Sequence, residues 1–317
     1  MSLVVDVAKI HCPVLLEPTV TFLNLKESGY YLDATLGLGG HAEAVLKTYP
    51  LIKLIGLDRD GQALEYARAR LEPYKERVFF FHQNYANFPL VLDEMKVNGL
   101  NGALIDLGVS SLQLDFSERG FSFLSDAPLD MRMDQTADIQ TAYDLVNFKS
   151  QDWLKGILAH GEEVFASKIA QAICEERRVK PIETTKELAN IVINCYPKSW
   201  LKKSRHHPAT KTFQALRLAV NDELGFLKDF LNNILDWLLP SARLVVLTFH
   251  SLEDRLVKHF MQDNAKGCIC PPYVDKCTCN HKPRLSILTK KPIIATKQEL
   301  ELNPRASSAK LRCAEKV

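Results

Sequence analysis

Between residues 30 and 106 two patterns take turns, and that alternation constrains the fold more than any other feature of the sequence. "YYLDAT", "IKLIGLD", "RVFFFH" and "NGALIDL" are short runs of β-branched, aromatic and aliphatic residues. Segments 40–49, 61–71 ("GQALEYARARL") and 86–96 lie between them and carry helical spacing. Strand-length runs separated by helices predict a parallel, doubly wound α/β sheet, because parallel neighbours need a crossover between them.

The alternation then stops. Residues 107–135 read as a loop with turn formers and little periodicity. Residues 152–195 read as helical throughout, with Val164, Ile169 and Ile173 near one face of "EEVFASKIAQAICEERR". Thr184 followed by Glu187 is a capping box. Near residue 209 the α/β pattern resumes: a long helix over 212–239 that Gly225 interrupts, a strand "ARLVVLTF", a helix "SLEDRLVKHFM", and closing strands "RLSIL" and "AKLRCAEK". The expected organisation is a core formed by 1–108 and 209–317, split by a mostly helical, substrate-recognising insertion at 109–208. The second core segment carries a Cys-rich loop over 268–281.

The turn after the first strand, "DATLGLGGHA", places Gly37, Gly39 and Ala42 at the spacing of a dinucleotide-binding turn. That spacing alone fits NAD and S-adenosylmethionine (SAM) equally. Asp33 separates them. A carboxylate beside the turn repels a pyrophosphate and attracts a sulfonium and an α-ammonium group. Asp58 ends the second strand, where an acid can bind ribose hydroxyls, and Asp106 ends the fourth. Three acids at the carboxyl ends of parallel strands face the crevice where open α/β sheets bind ligands. The competing reading of each acid is a cap on the turn that follows it.

"DLGVSSLQLDFSERGFSF", "APLDMRMD", "HPATKTFQALRLAVNDEL", "FHSLEDRLVKHFM" and "NPRASSAKLR", in this order, resemble the RsmH (MraW) family. The resemblance runs from "HCPVLLEP" to the last ten residues. It implies a SAM-dependent methyltransferase (Rossmann-like) fold with an inserted helical domain. It also implies methylation of the exocyclic N4 of a cytidine in the decoding region of small-subunit ribosomal RNA. The family's cofactor contacts fall on Gly39, Gly40, His41, Asp58, Tyr85, Asp106 and Gln113. Where the family often has Phe, Tyr85 keeps a flat face for adenine and adds a hydroxyl.

A cytosine N4 lone pair is delocalised into the ring, so methyl transfer needs alignment and acceptors for the amine hydrogens. Many amino-methyltransferases place an Asp/Asn/Ser-Pro-Pro-aromatic motif after the fourth strand. Here that place holds "DLGVSS", and "CPPY" at 270–273 is a decoy in the cysteine cluster. The catalytic candidates are Asp106, Asp130 in "PLDMRMD", and His250 at the end of the fifth strand, whose alternative role is an N-cap.

No acid lies between Leu188 and Asn221, a stretch holding Lys198, Lys202, Lys203, Arg205, His206, His207, Lys211, Arg217 and Trp200. Basic residues interleaved with an aromatic suit phosphate contact and base stacking. Lys202, Lys203, Arg205, His207, Lys211 and, near the target base, Arg132 are the candidate RNA contacts. Residues 276–298 form a second acid-free stretch with Lys282, Arg284, Lys290, Lys291 and Lys297. Runs of charge also serve as plain solvated faces.

Cys268, Cys270, Cys277 and Cys279 form a CxC-x6-CxC pattern, with His281 two residues on. Four thiolates in so short a loop suit a tetrahedral structural zinc, although CxC is a strained spacing for one metal. Free thiols and an adventitious disulfide are the competing readings. The other four cysteines read as buried thiols of a reducing compartment.

The formal net charge is only +2, so affinity for nucleic acid must come from local clusters. No apolar run is long enough to span a bilayer, and the opening residues lack the order of a secretory leader, which points to the cytoplasm. The expected partner is small-subunit ribosomal RNA within an assembled subunit, with a homodimer left open. Two other readings stand beside this one. A nicotinamide-dependent dehydrogenase would be stabilised by NAD rather than SAM. A non-catalytic ribosome-assembly or DNA-binding factor would keep its effect after Asp106→Ala.

Overall fold

A computed structural model of the chain describes residues 13–202, 207–268, 270, 276, 278, 279 and 281–317. Seven strands form one sheet: β1 (Ser28–Asp33), β2 (Leu51–Asp58), β3 (Val78–His82), β4 (Leu100–Asp106), β5 (Leu238–Thr248), β6 (Leu285–Ile287) and β7 (Lys310–Lys316). Their order is β3-β2-β1-β4-β5-β7-β6. β1 to β5 run parallel, and β7 lies antiparallel to both neighbours. The chain order reverses between β1 and β4, the topological switch point at which such sheets open a ligand crevice.

Successive residues of the inner strands enter opposite cores. Leu32, Ile55, Leu57, Ala103, Ile105, Leu244 and Val246 pack on one side, against Phe88, Phe230 and Val257 from helices. Tyr31, Leu54, Leu104, Val245 and Leu247 pack on the other, against Val45, Leu46, Leu64 and Ala67. Burial on both faces is why these strands read as continuous apolar runs. It also makes a truncation such as Ile55→Ala cost about 2–5 kcal/mol.

Two compact units emerge. One takes in the chain to Gly108 and from Gly225 to Val317, and the other spans Val109–Leu224. The second boundary therefore lies at 224 rather than the expected 208. The reason is packing: Phe213, Leu216 and Val220, on the helix Ala209–Asn221, belong to the second unit's own core with Leu158, Ile169 and Val192.

Three local expectations also change. The region 152–195 is three helices, Gln151–His160, Ala166–Glu176 and Thr185–Cys195. Glu162 takes a left-handed φ of 62°, which ends the first of them. Val164 then falls between helices and is 77% exposed, while Ile169 and Ile173 are buried as expected. The long helix breaks at Asp222, at a left-handed φ of 45°, and not at Gly225, which sits inside the helix Glu223–Trp237. Short polar side chains tolerate that conformation better than most. Finally, 107–135 is not all loop: Ser110 and Gln113 form a capping box that starts the helix Ser111–Asp115.

Candidate functional site

The first unit's site is built at the carboxyl ends of β1, β2, β4 and β5. After β1 the chain turns through Gly37 (φ 52°) and Gly39 (φ 75°) into the helix Gly40–Thr48. Both angles are left-handed, a region costly for side chains with a Cβ, so these turn glycines are required by the backbone itself. Gly37 N–H donates to Asp58 Oδ2 at 2.7 Å, and Asp60 N–H to Asp58 Oδ1 at 2.8 Å. Asp58 thus ties the turn to the end of β2.

Asp33 is buried, and its Oδ1 accepts from Thr35 N–H at 3.3 Å. Burial pushes its carboxyl up to about 7; the Thr35 bond opposes this and the charge of Asp58 adds to it. Burial likewise pushes Asp58 up to about 6 against its two backbone donors. Asp106 is raised well above the ordinary carboxylate range, by burial first and then by the charges of Asp33 and Glu253. Its side chain keeps 21% of its surface, yet Oδ1 is sealed and has no hydrogen-bond partner among the described residues. Crowded acids with raised affinities for protons are what a cationic ligand would relieve.

His41 is buried with Nε2 3.0 Å from the Val14 carbonyl oxygen and Nδ1 3.7 Å from Asp106 Oδ2. Its ring faces the Asp106 carboxylate and so supports that group from behind. Tyr85 opens a short helical turn after β3 and packs edge-on against Phe230, with ring centroids 5.8 Å apart. His250 is the N-cap of the helix Ser251–Asn264. Its Nδ1 accepts from Glu253 N–H at 3.4 Å, and Nε2 stands 3.0 Å from Glu253 Oε1. The Glu253 N–H bond gives His250 a capping role.

Two contributors were invisible in the sequence. Thr35 Oγ1 accepts from Asp106 N–H at 2.7 Å and holds the carboxyl end of β4 in place. Buried Glu253 accepts from Phe249 N–H at 2.8 Å and His250 N–H at 3.2 Å. The only signal for Glu253 was its place three residues after the cap.

The second unit holds the remaining candidates. Gln113 is buried, and its Oε1 accepts from Ser110 N–H at 3.1 Å. Asp130 grips Arg132 with two parallel bonds, Nε to Oδ1 at 2.8 Å and Nη2 to Oδ2 at 3.0 Å, and also takes Arg132 N–H and Gln135 Nε2. The Arg132 guanidinium outweighs burial and holds Asp130 below its usual range. A carboxylate so engaged is a poor proton acceptor, and its bonds fix the orientation of Arg132. Met131 and Met133 on either side point into the unit's interior. Asn221 clamps both, with Oδ1 accepting from Met133 N–H at 2.9 Å and Nδ2 donating to Met131 O at 2.7 Å.

The basic run is thinner than its composition suggests. Arg217 is bound to Glu223 by bonds of 2.8 and 3.0 Å. Lys211 Nζ lies 3.7 Å from Glu162, and in the first unit Arg284 pairs with Asp236. Lys202 is exposed. His207 stacks on Phe123 at 4.4 Å, and Trp200, 36% exposed, packs on Tyr196 at 4.6 Å. Lys203 and Arg205 lie outside the described residues, as does Cys277. The Sγ atoms of Cys268, Cys270 and Cys279 converge within 4.8 Å of one another.

The sequence profile of the MraW methylase family matches residues 8–317. The chain is 53% identical over 309 residues to the ribosomal RNA small subunit methyltransferase H of Lawsonia intracellularis, covering 97% of this chain and 99% of that one. It is 53% identical over 312 residues to the protein of the same name from Nitratidesulfovibrio vulgaris, covering 98% and 86% of the two chains. The corresponding protein of Halothermothrix orenii is 44% identical over 308 residues, covering 97% and 98%.

Proposed function

Because the chain belongs to the MraW methylase family, we propose that it transfers a methyl group from SAM to the exocyclic N4 of a cytidine in the decoding region of small-subunit ribosomal RNA. The reaction takes place in the cytoplasm on an assembled subunit. The observation that carries the cofactor is the ring of acids, Asp33, Asp58 and Asp106, around a glycine turn. Each has a raised proton affinity, and Asp106 Oδ1 is buried without a partner among the described residues. That donor set fits a cationic cofactor with ribose hydroxyls and repels a pyrophosphate.

When bound, SAM supplies an electrophilic methyl on a sulfonium. The protein's residues do the rest. Gly37, Gly39 and Gly40 let the backbone approach the ligand, Asp58 receives ribose hydroxyls, and Tyr85 offers a face for adenine. Asp106 Oδ1 accepts an N–H of the incoming amine. That bond would draw electron density onto N4 as its lone pair turns out of the ring. The Asp106 carboxylate would take the proton that N4 gives up on methylation. Its raised proton affinity makes it a competent receiver. Arg132, held by Asp130, contacts the RNA. Lys202, Lys203, Arg205, His207 and Lys211 contact its backbone.

Thermal unfolding with SAM, S-adenosylhomocysteine and NAD tests the cofactor. Stabilisation by the first two alone supports the proposal, and stabilisation by NAD alone replaces it with hydride chemistry.

A further inference from the structure

Among its described residues, the stretch joining the helix Ser251–Asn264 to β6 places none in a core. Its ends are pinned, since Arg284 N–H donates to Asn264 O at 2.8 Å. Between them, from Ala265 to Arg284, not one described residue is buried. A segment with so little buried surface among its described residues has weak hydrophobic means of holding a fixed shape and gains from another clasp. Three thiols nevertheless meet there. Cys268 and Cys279 stand 3.8 Å apart, sulfur to sulfur, and Cys270 Sγ lies within 4.8 Å of both. Thiolates on a tetrahedral zinc, each about 2.3 Å from the metal, stand about 3.8 Å from one another. Cys270 N–H is also directed at Cys268 Sγ at 3.4 Å, a donor placed where a thiolate's charge would be.

We propose that Cys268, Cys270 and Cys279 hold a structural zinc ion that clasps this loop. Zinc suits the set because soft thiolates with no carboxylate or imidazole among them select it over harder divalent ions. On binding, each ligating thiol releases its proton to solvent and the metal takes its place. Cys277 lies outside the described residues and is not one of the three. The site is apart from the acid ring, so its role is to shape the loop and not to take part in methyl transfer.

The test measures metal in the full chain, purified under reducing conditions without chelator, by elemental analysis. About one zinc per chain is expected, falling at least tenfold in Cys268→Ser and Cys279→Ser variants that keep the parent's far-ultraviolet circular dichroism. Should those variants fail to fold, the parent chain decides alone. After removal of its zinc, it should bind one cobalt ion with the absorption of thiolate-to-metal charge transfer. The proposal is overturned by a chain that contains no zinc and shows no such absorption with cobalt. It is equally overturned by iron or copper in place of zinc, or by zinc that persists in the folded variants.

Discussion

Nδ1 of His41 faces Oδ2 of Asp106 at 3.7 Å while Nε2 of the same ring sits 3.0 Å from the carbonyl oxygen of Val14. A carbonyl oxygen only accepts, so Nε2 keeps its hydrogen and Nδ1 of the neutral ring is an acceptor. At 3.7 Å Nδ1 presents a lone pair and not a hydrogen to Oδ2, so the ring does not stabilise the Asp106 anion. This follows the same direction as the burial and the neighbouring charges that raise Asp106. Asp106→Asn keeps the shape and removes the proton receiver. It is expected to lower kcat about a hundredfold or more while changing SAM affinity far less. Single-turnover rates and SAM titration of the variant separate the two. A loss confined to SAM affinity would place Asp106 on the cofactor instead.

The acid ring predicts an unusual pH dependence. Folded Asp33 and Asp58 titrate near 7 and 6, against 3.8 for an unperturbed aspartate. A carboxyl raised on folding binds more protons in the native state, so its contribution to stability is present at low pH and lost as pH rises to about 7. Ligand-free chain should therefore lose stability between about pH 4 and pH 7, with Asp33→Asn flattening the slope. Binding of cationic SAM should strengthen over the same interval and release protons. Denaturant titrations and calorimetry in two buffers check both halves.

Arg132 is aimed by a two-bond grip from Asp130. Arg132→Ala should cost about 1–3 kcal/mol in kcat/KM for RNA, with SAM binding intact. Arg132→Lys should rescue little, because an ammonium cannot reproduce the fork. Methylation kinetics at varied RNA concentration, beside SAM titration, give the answer.

Lys202 and Arg217 share a basic stretch but not a role. Lys202 is exposed, whereas Arg217 is bound to Glu223. Lys202→Ala should reduce the slope of log affinity for RNA against log salt by about 1. Arg217→Ala should leave that slope alone and lower stability. Binding titrations at several salt concentrations distinguish them.

Asn221 bonds both Met131 and Met133 main chains from a buried position. Asn221→Ala leaves two buried backbone groups without those bonds and should cost about 1–3 kcal/mol of stability. Urea unfolding measures it. RNA turnover should fall along with stability, because the loop carrying Arg132 loosens.

What could be read from the sequence followed the periodicity. The inner strands were legible because burial on both faces writes long apolar runs, and the glycine turn because it needs residues without a Cβ. Boundaries were less so. The helix 212–239 breaks at Asp222 because that residue adopts a left-handed conformation, which a polar residue announces less clearly than a glycine does. Thr35, Glu253 and Asn221 were hidden because their roles depend on partners distant in the chain or on the sheet's geometry. His250 and Asp130 read as catalytic candidates by position, and the bonds they make with Glu253 and Arg132 were not legible in the sequence.

The most direct measurement of the central claim is methyl transfer itself. Purified chain would be incubated with labelled SAM and small ribosomal subunits from cells lacking this modification, and the labelled nucleoside identified by mass spectrometry. The account predicts label on N4 of one decoding-region cytidine and almost none with Asp106→Asn. Label on another base or position, or none from a chain that binds SAM, would contradict it.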